Sequence, residues 1–211
     1  TKVHLEVQKH AQKGRDIILI GHKGHPEVIG TLGRHPSNSN TKIYLVENND
    51  DIKKLEISSP EVAYVTQTTL SVDETRELIN SLKEKFPGII GPSADDICYA
   101  TQNRQDAVKQ LSLECQIVLV IGSQTSSNSN RLKELAEKCG TKSFLIDDKT
   151  DIDLNSLKDA TSVGITAGAS APEEIVQEVI SFLVPLGFKT VRNLSENNEN
   201  MTFKLPKELT S

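Results

Sequence analysis

The sequence of 211 residues is short of several things at once. It has no Trp, and aromatic residues make up only 4% of it, so a core must rest on Ile, Val, Leu and Ala. Its three cysteines, Cys98, Cys115 and Cys139, include no C-x-x-C pair. That excludes a disulfide scaffold and a self-contained four-cysteine metal site, and it points to a reducing compartment. No apolar run approaches the roughly 20 residues of a membrane helix, so no membrane partner is expected. Basic side chains number 24 against 29 acidic ones, a net charge of −5, which argues against a general nucleic-acid binder. No glycines are spaced G-x-G and no Gly precedes a Lys. This weighs against a dinucleotide-binding dehydrogenase and a P-loop nucleotidase.

What is present is one pattern, four times over. A short β-branched run ends in a loop of small polar residues, and an amphipathic helix follows. The runs are Ile17–Ile20, Val62–Val65, Ile117–Ile121 and Ser162–Ile165. Continuous apolar runs of this length suit strands buried on both faces, as in parallel sheets. Further strands are expected at Lys42–Val46 and Lys142–Ile146. Helix starts are marked by the S-x-x-E capping box at Ser71–Glu74, by Ser129 or Asn130 ahead of Leu132–Lys138, and by Pro172 in a first turn with Glu173 and Glu174. A helix is expected from about Asp95 to Leu113. Gly14, Pro87-Gly88, Gly140 and Gly187 mark stops. The expected class is α/β, built of repeated strand–loop–helix units with parallel sheets. The expected divisions are residues 1–92, 93–188 and a polar tail 189–211 with a closing strand from Met201 to Leu205. The opening TKVHLEVQKHAQKG reads as a helix, as though the chain starts inside a unit.

In such sheets ligands bind beyond the carboxyl ends of the strands, facing helix N-termini. All four polar loops belong there. They carry Ser, Thr, Asn, Gly and His with little Lys or Arg, so backbone N–H groups, hydroxyls and amides can hold a phosphate or diphosphate without formal positive charge. Helix capping alone is the plainer reading of any one loop. In Gly21-His22-Lys23-Gly24-His25-Pro26-Glu27, a His and a Glu two residues apart can bind an anion and move a proton. The same His22, His25 and Glu27 can instead be metal ligands of a hydrolase, or a solvated loop with a first-turn Glu. Cys98 falls at a helix N-terminal turn, as a nucleophile, a metal ligand or a small packed residue. Cys115 and Cys139 read as structural.

Five ordered motifs then coincide: GHKGHPEV-x-GT, Thr66–Val72, DDICYAT-x-NRQ, Ser126–Leu132 and VGITAGASAP. Together they resemble the LytB family, iron–sulfur reductases of 4-hydroxy-3-methylbut-2-enyl diphosphate in the non-mevalonate isoprenoid pathway. The resemblance implies two of the three lobes of a trefoil-like fold. It implies that Cys98 ligates a [4Fe–4S] cluster, that His25, Ser126, Asn128 and Ser170 bind the diphosphate with Thr68 and Ser127 lining the site, and that Glu27 donates a proton. It further implies a ferredoxin or flavodoxin as electron donor, and a bacterial cytosolic or plastid stromal location. The family's C-P-x-V-T-K-V-H motif is matched only from Thr1-Lys2-Val3-His4 onward, and its other cluster cysteine and two more histidines have no counterpart here. The chain is therefore expected to be a piece of a longer protein, inactive alone. The alternative is a non-catalytic diphosphate-binding module.

Overall fold

A computed structural model describes residues 2–92 and 97–194. The first half runs α1 (Lys2–Gln12), β1 (Asp16–Ile20), α2 (Pro26–Leu32), β2 (Ile43–Val46), α3 (Asn49–Lys54), β3 (Val62–Thr66) and α4 (Val72–Lys85). The second runs α5 (Tyr99–Glu114), β4 (Ile117–Ile121), α6 (Ser127–Lys138), β5 (Lys142–Ile146), α7 (Leu154–Leu157), β6 (Val163–Ala167) and α8 (Glu173–Leu183). Each half holds one three-stranded sheet, ordered β2-β1-β3 and β5-β4-β6, with every pairing parallel. The class is thus the α/β parallel class expected. Each sheet crosses over its first strand, so the chain repeats one topology twice.

The central strands explain why. Every residue of β1 and β4 is buried, because helices cover both faces. On the first sheet, Ile18 and Ile20 pack toward α3 and α4 with Val46 and Leu82, while Ile17 and Leu19 pack toward α1 and α2 with Val3, Val7 and Val28. The second sheet is divided the same way, with Leu119 and Ile121 toward α8 and Val118 and Val120 toward α5 and α6. Truncating such a side chain costs about 2–5 kcal/mol. No helix among the described residues is long and apolar enough to cross a membrane.

Several boundaries differ from expectation. Asp95 and Asp96 lie outside the described residues, and α5 starts at Tyr99 with Cys98 as its N-cap. The cap of α6 is Ser126, whose Oγ accepts from Ser129 N, so Ser129 is inside the helix rather than before it. Pro172 is the N-cap of α8 rather than a first-turn residue. Ser71 Oγ accepts from Glu74 N at 3.4 Å, but the carboxylate of Glu74 does not complete a capping box. It turns outward to Arg131 and Lys138 of α6. The closing strand expected at Met201–Leu205 lies outside the described residues.

Burial pushes the imidazoles of His4 and His10 in α1 below their ordinary pKa, with Glu6 opposing the shift at His10. A lowered histidine pKa means that the unfolded chain binds protons the folded chain refuses. Stability is then full above about pH 6.5 and is lost as pH falls through that value. Urea unfolding midpoints should fall from pH 7.5 to 5.5, and a flat profile would contradict the assignment.

Candidate functional site

The loops after β1, β3, β4 and β6 all leave the carboxyl ends of their strands, as the sequence suggested. His25 caps α2, its Nδ1 accepting from Glu27 N at 3.2 Å. A neutral His25 therefore carries its proton on Nε2, a donor available to an anion. Glu27, in the first turn of the helix, is held at both oxygens: Thr68 N donates to Oε1 at 2.9 Å and Thr68 Oγ1 donates to Oε2 at 3.0 Å. The carbonyl of the same Thr68 accepts from Cys98 N at 3.2 Å. Three residues singled out separately, Glu27, Thr68 and Cys98, are thus joined in one hydrogen-bonded line.

Ser126 Oγ accepts from Ser129 N at 3.3 Å and from Ser129 Oγ at 3.0 Å. Ser127 Oγ meets Thr69 Oγ1 at 3.0 Å across the two halves of the molecule, bringing the α6 N-terminus against the loop after β3. Asn128 is 8% exposed, yet neither its Oδ1 nor its Nδ2 has a hydrogen-bond partner. A buried amide left unsatisfied costs about 1–3 kcal/mol, so its two polar atoms call for a partner that no described residue supplies. Ser170 is exposed in the turn after β6, and no hydrogen bond joins it to the other residues of the site that are described here. Gly168 of the same turn does approach α6: a Cβ there would stand 2.3 Å from Ser129 Oγ.

Cys98 is exposed, and its side chain makes no capping bond. Cys115 sits at the far end of α5, where burial and Glu114 push its thiol up. Cys139, read as structural, is instead exposed at the end of α6. The hydrolase alternative loses its ligands. His22 Nε2 is taken by Arg131 Nη2 at 2.8 Å, both Glu27 oxygens are taken by Thr68, and no group of three metal-ligating side chains exists among the described residues. Sequence reasoning missed Gln67, which is 1% exposed, and Arg131. A polar residue directly after an apolar strand run was the available signal for the first. For Arg131 the partner lies 109 residues away, and no local signal existed.

Two parallel three-stranded sheets, with Ser, Thr, Asn and His side chains and one Glu in the loops at their carboxyl ends, define an α/β protein of repeated strand–loop–helix units. Known proteins sharpen that class. The family described as LytB protein matches residues 1–184. A 4-hydroxy-3-methylbut-2-enyl diphosphate reductase of Saccharophagus degradans is 55% identical over 210 residues, 99% of this chain and 68% of the relative. One of Alcanivorax borkumensis is 53% identical over the same share. The solved structure of the E-1-hydroxy-2-methyl-but-2-enyl-4-diphosphate reductase from Plasmodium falciparum is 36% identical with a TM-score of 0.89, covering 98% of this chain and 65% of that one. The chain belongs to the LytB family, and it spans about two thirds of the length of these relatives.

Proposed function

We propose that this chain forms the diphosphate-binding and proton-donating part of a 4-hydroxy-3-methylbut-2-enyl diphosphate reductase. The observation that carries the reading is Asn128, a buried amide with both polar atoms unpartnered. It stands in the first turn of α6, and a helix N-terminus favours an anion. His25 through Nε2, the hydroxyls of Ser126, Ser127 and Ser170, and Asn128 bind the diphosphate. Thr68 orients Glu27, whose carboxyl passes a proton to the departing hydroxyl, which leaves as water. The reaction consumes two electrons and two protons and releases isopentenyl or dimethylallyl diphosphate. A ferredoxin or flavodoxin supplies the electrons, in bacterial cytosol or plastid stroma.

The [4Fe–4S] cluster of the family finds one donor here. Cys98 is exposed at a helix N-terminus beside Thr68, which suits a thiolate ligand. Cys115 and Cys139 are placed elsewhere, so the described residues do not complete a cluster site. Reconstituted with iron and sulfide without oxygen, these 211 residues alone should retain far fewer than the roughly four irons of a full cluster. A stoichiometric brown chain would overturn this.

The second reading is a diphosphate-binding module. Calorimetry with inorganic pyrophosphate tests what both share. Asn128→Leu should weaken binding tenfold or more while raising unliganded stability by about 1–2 kcal/mol, since it removes an unsatisfied buried amide. Unchanged affinity would remove Asn128 from the site. Reductive turnover of the hydroxylated substrate by the protein that carries this sequence separates the readings.

A further inference from the structure

The two halves of the molecule are joined by a closed hydrogen-bond circuit that no substrate-binding role requires. Arg131 lies on α6, three residues past Asn128, with its side chain 15% exposed. Its Nη2 donates to His22 Nε2 at 2.8 Å. Its Nη1 reaches Glu134 on its own helix at 2.7 Å and Glu74 of α4 at 3.5 Å. His22 precedes His25 and Glu27 in the loop after β1. Its backbone N–H donates to Gln67 Oε1 at 3.0 Å, Gln67 Nε2 donates to Thr69 Oγ1 at 3.0 Å, and Thr69 Oγ1 meets Ser127 Oγ at 3.0 Å. Ser127 and Arg131 are four residues apart and share one face of α6. The circuit therefore leaves α6 at Arg131, passes through two loops of the other half, and returns to α6 at Ser127.

We propose that Arg131 is a positioning residue. It clamps the loop bearing His25 and Glu27 onto the helix terminus bearing Ser126 and Asn128, with neutral His22 as its acceptor. The inference rests on the diphosphate site proposed above and adds what sets its geometry. A guanidinium only donates, so the clamp needs a lone pair on His22 Nε2. Protonation of His22 puts an N–H where the acceptor was and turns attraction into repulsion. Burial, then Arg131, holds His22 below its ordinary pKa, against the opposing pull of Glu47, Glu134 and Glu74. Glu77 lines the same cavity of about 280 Å³ as His22. Lysine cannot replace Arg131, because an ammonium is a point charge without the planar fork that reaches His22 and Glu74 together.

The test is pyrophosphate affinity of the whole chain by calorimetry, with thermal melting to certify folding. Arg131→Gln should weaken binding about tenfold while keeping a cooperative melt, and Arg131→Lys should restore only part of it. His22→Gln keeps an acceptor that no proton can cancel in this range. The ratio of wild-type to His22→Gln affinity, in which the ligand's own protonation cancels, should fall between pH 8 and pH 5. That comparison decides the matter should Arg131→Gln fail to fold. Arg131→Gln binding within about twofold of wild type, or a ratio flat with pH, overturns the clamp and leaves the diphosphate site standing. No pyrophosphate binding by the wild-type chain overturns the site and the clamp with it.

Discussion

Glu27→Gln should lower reductive turnover roughly 10²–10⁴-fold in the protein that carries this sequence, the usual worth of a positioned acid or base. The substitution is nearly isosteric, and the surroundings tolerate it. Thr68 N donates to one Glu27 oxygen and Thr68 Oγ1 to the other. A glutamine can keep the first bond through its carbonyl. It can keep the second by donating its amide to the threonine hydroxyl, which rotates to accept. The side chain stays in place and loses only its proton. The expected result is therefore a fall in kcat with KM changed a few-fold at most, the pattern of an interaction used in the transition state alone. Glu27→Asp shortens the side chain by one methylene and cannot span both Thr68 donors, so it should cost turnover and raise KM together. A Glu27→Gln protein working within tenfold of wild type would remove Glu27 from the proton-donor role.

The two halves of the molecule differ from the sequence reading in instructive ways. Strands β1, β3 and β4 were legible because burial on both faces leaves an unbroken apolar run, a local signal. α3 went unread because its six residues, Asn49–Lys54, carry one buried Ile52 and no period. The caps at Ser71 and His25 sit where local chemistry demands an acceptor. The cap of α6, expected at Ser129 or Asn130, falls three or four residues earlier at Ser126, because several residues of this run offer a side-chain acceptor and only the packed helix decides among them. α5 shows the limit most clearly. Its buried face includes Thr101 and Gln105, and Gln105 bonds Val72 N and Leu70 O of the other half. Polar residues that seal an interface look like solvent-facing ones until the partner is in place. The candidate site residues were named motif by motif through family resemblance, and the fold brings Glu27, Thr68 and Cys98 into one hydrogen-bonded line. The pairing of Arg131 with His22 and Glu74 was not legible, since long-range pairs leave no trace in local spacing.

Gly122→Ala should destabilise the chain by about 2–5 kcal/mol, with backbone strain and overpacking each supplying part, and it should abolish pyrophosphate binding. Gly122 directly follows β4 with φ +155°, where a side chain is disfavoured. A Cβ there would stand 2.3 Å from Ser129 Oγ and 3.0 Å from Ser129 Cβ. Ser129 has nowhere to retreat: it is buried in the first turn of α6, and a Cβ at Gly168 would meet the same hydroxyl. Ser129 is also the residue that holds Ser126, through both its N–H and its hydroxyl. Displacing it moves the α6 N-terminus, and with it Ser127 and Asn128. The double variant Gly122→Ala/Ser129→Ala separates the two effects. Removing the Ser129 hydroxyl relieves the closest clash, so urea unfolding should recover part of the lost stability while the backbone strain persists. Binding should stay weak, because Ser126 has lost one of its two donors. A Gly122→Ala protein as stable as wild type, with intact pyrophosphate affinity, would show that the β4–α6 turn does not set the site.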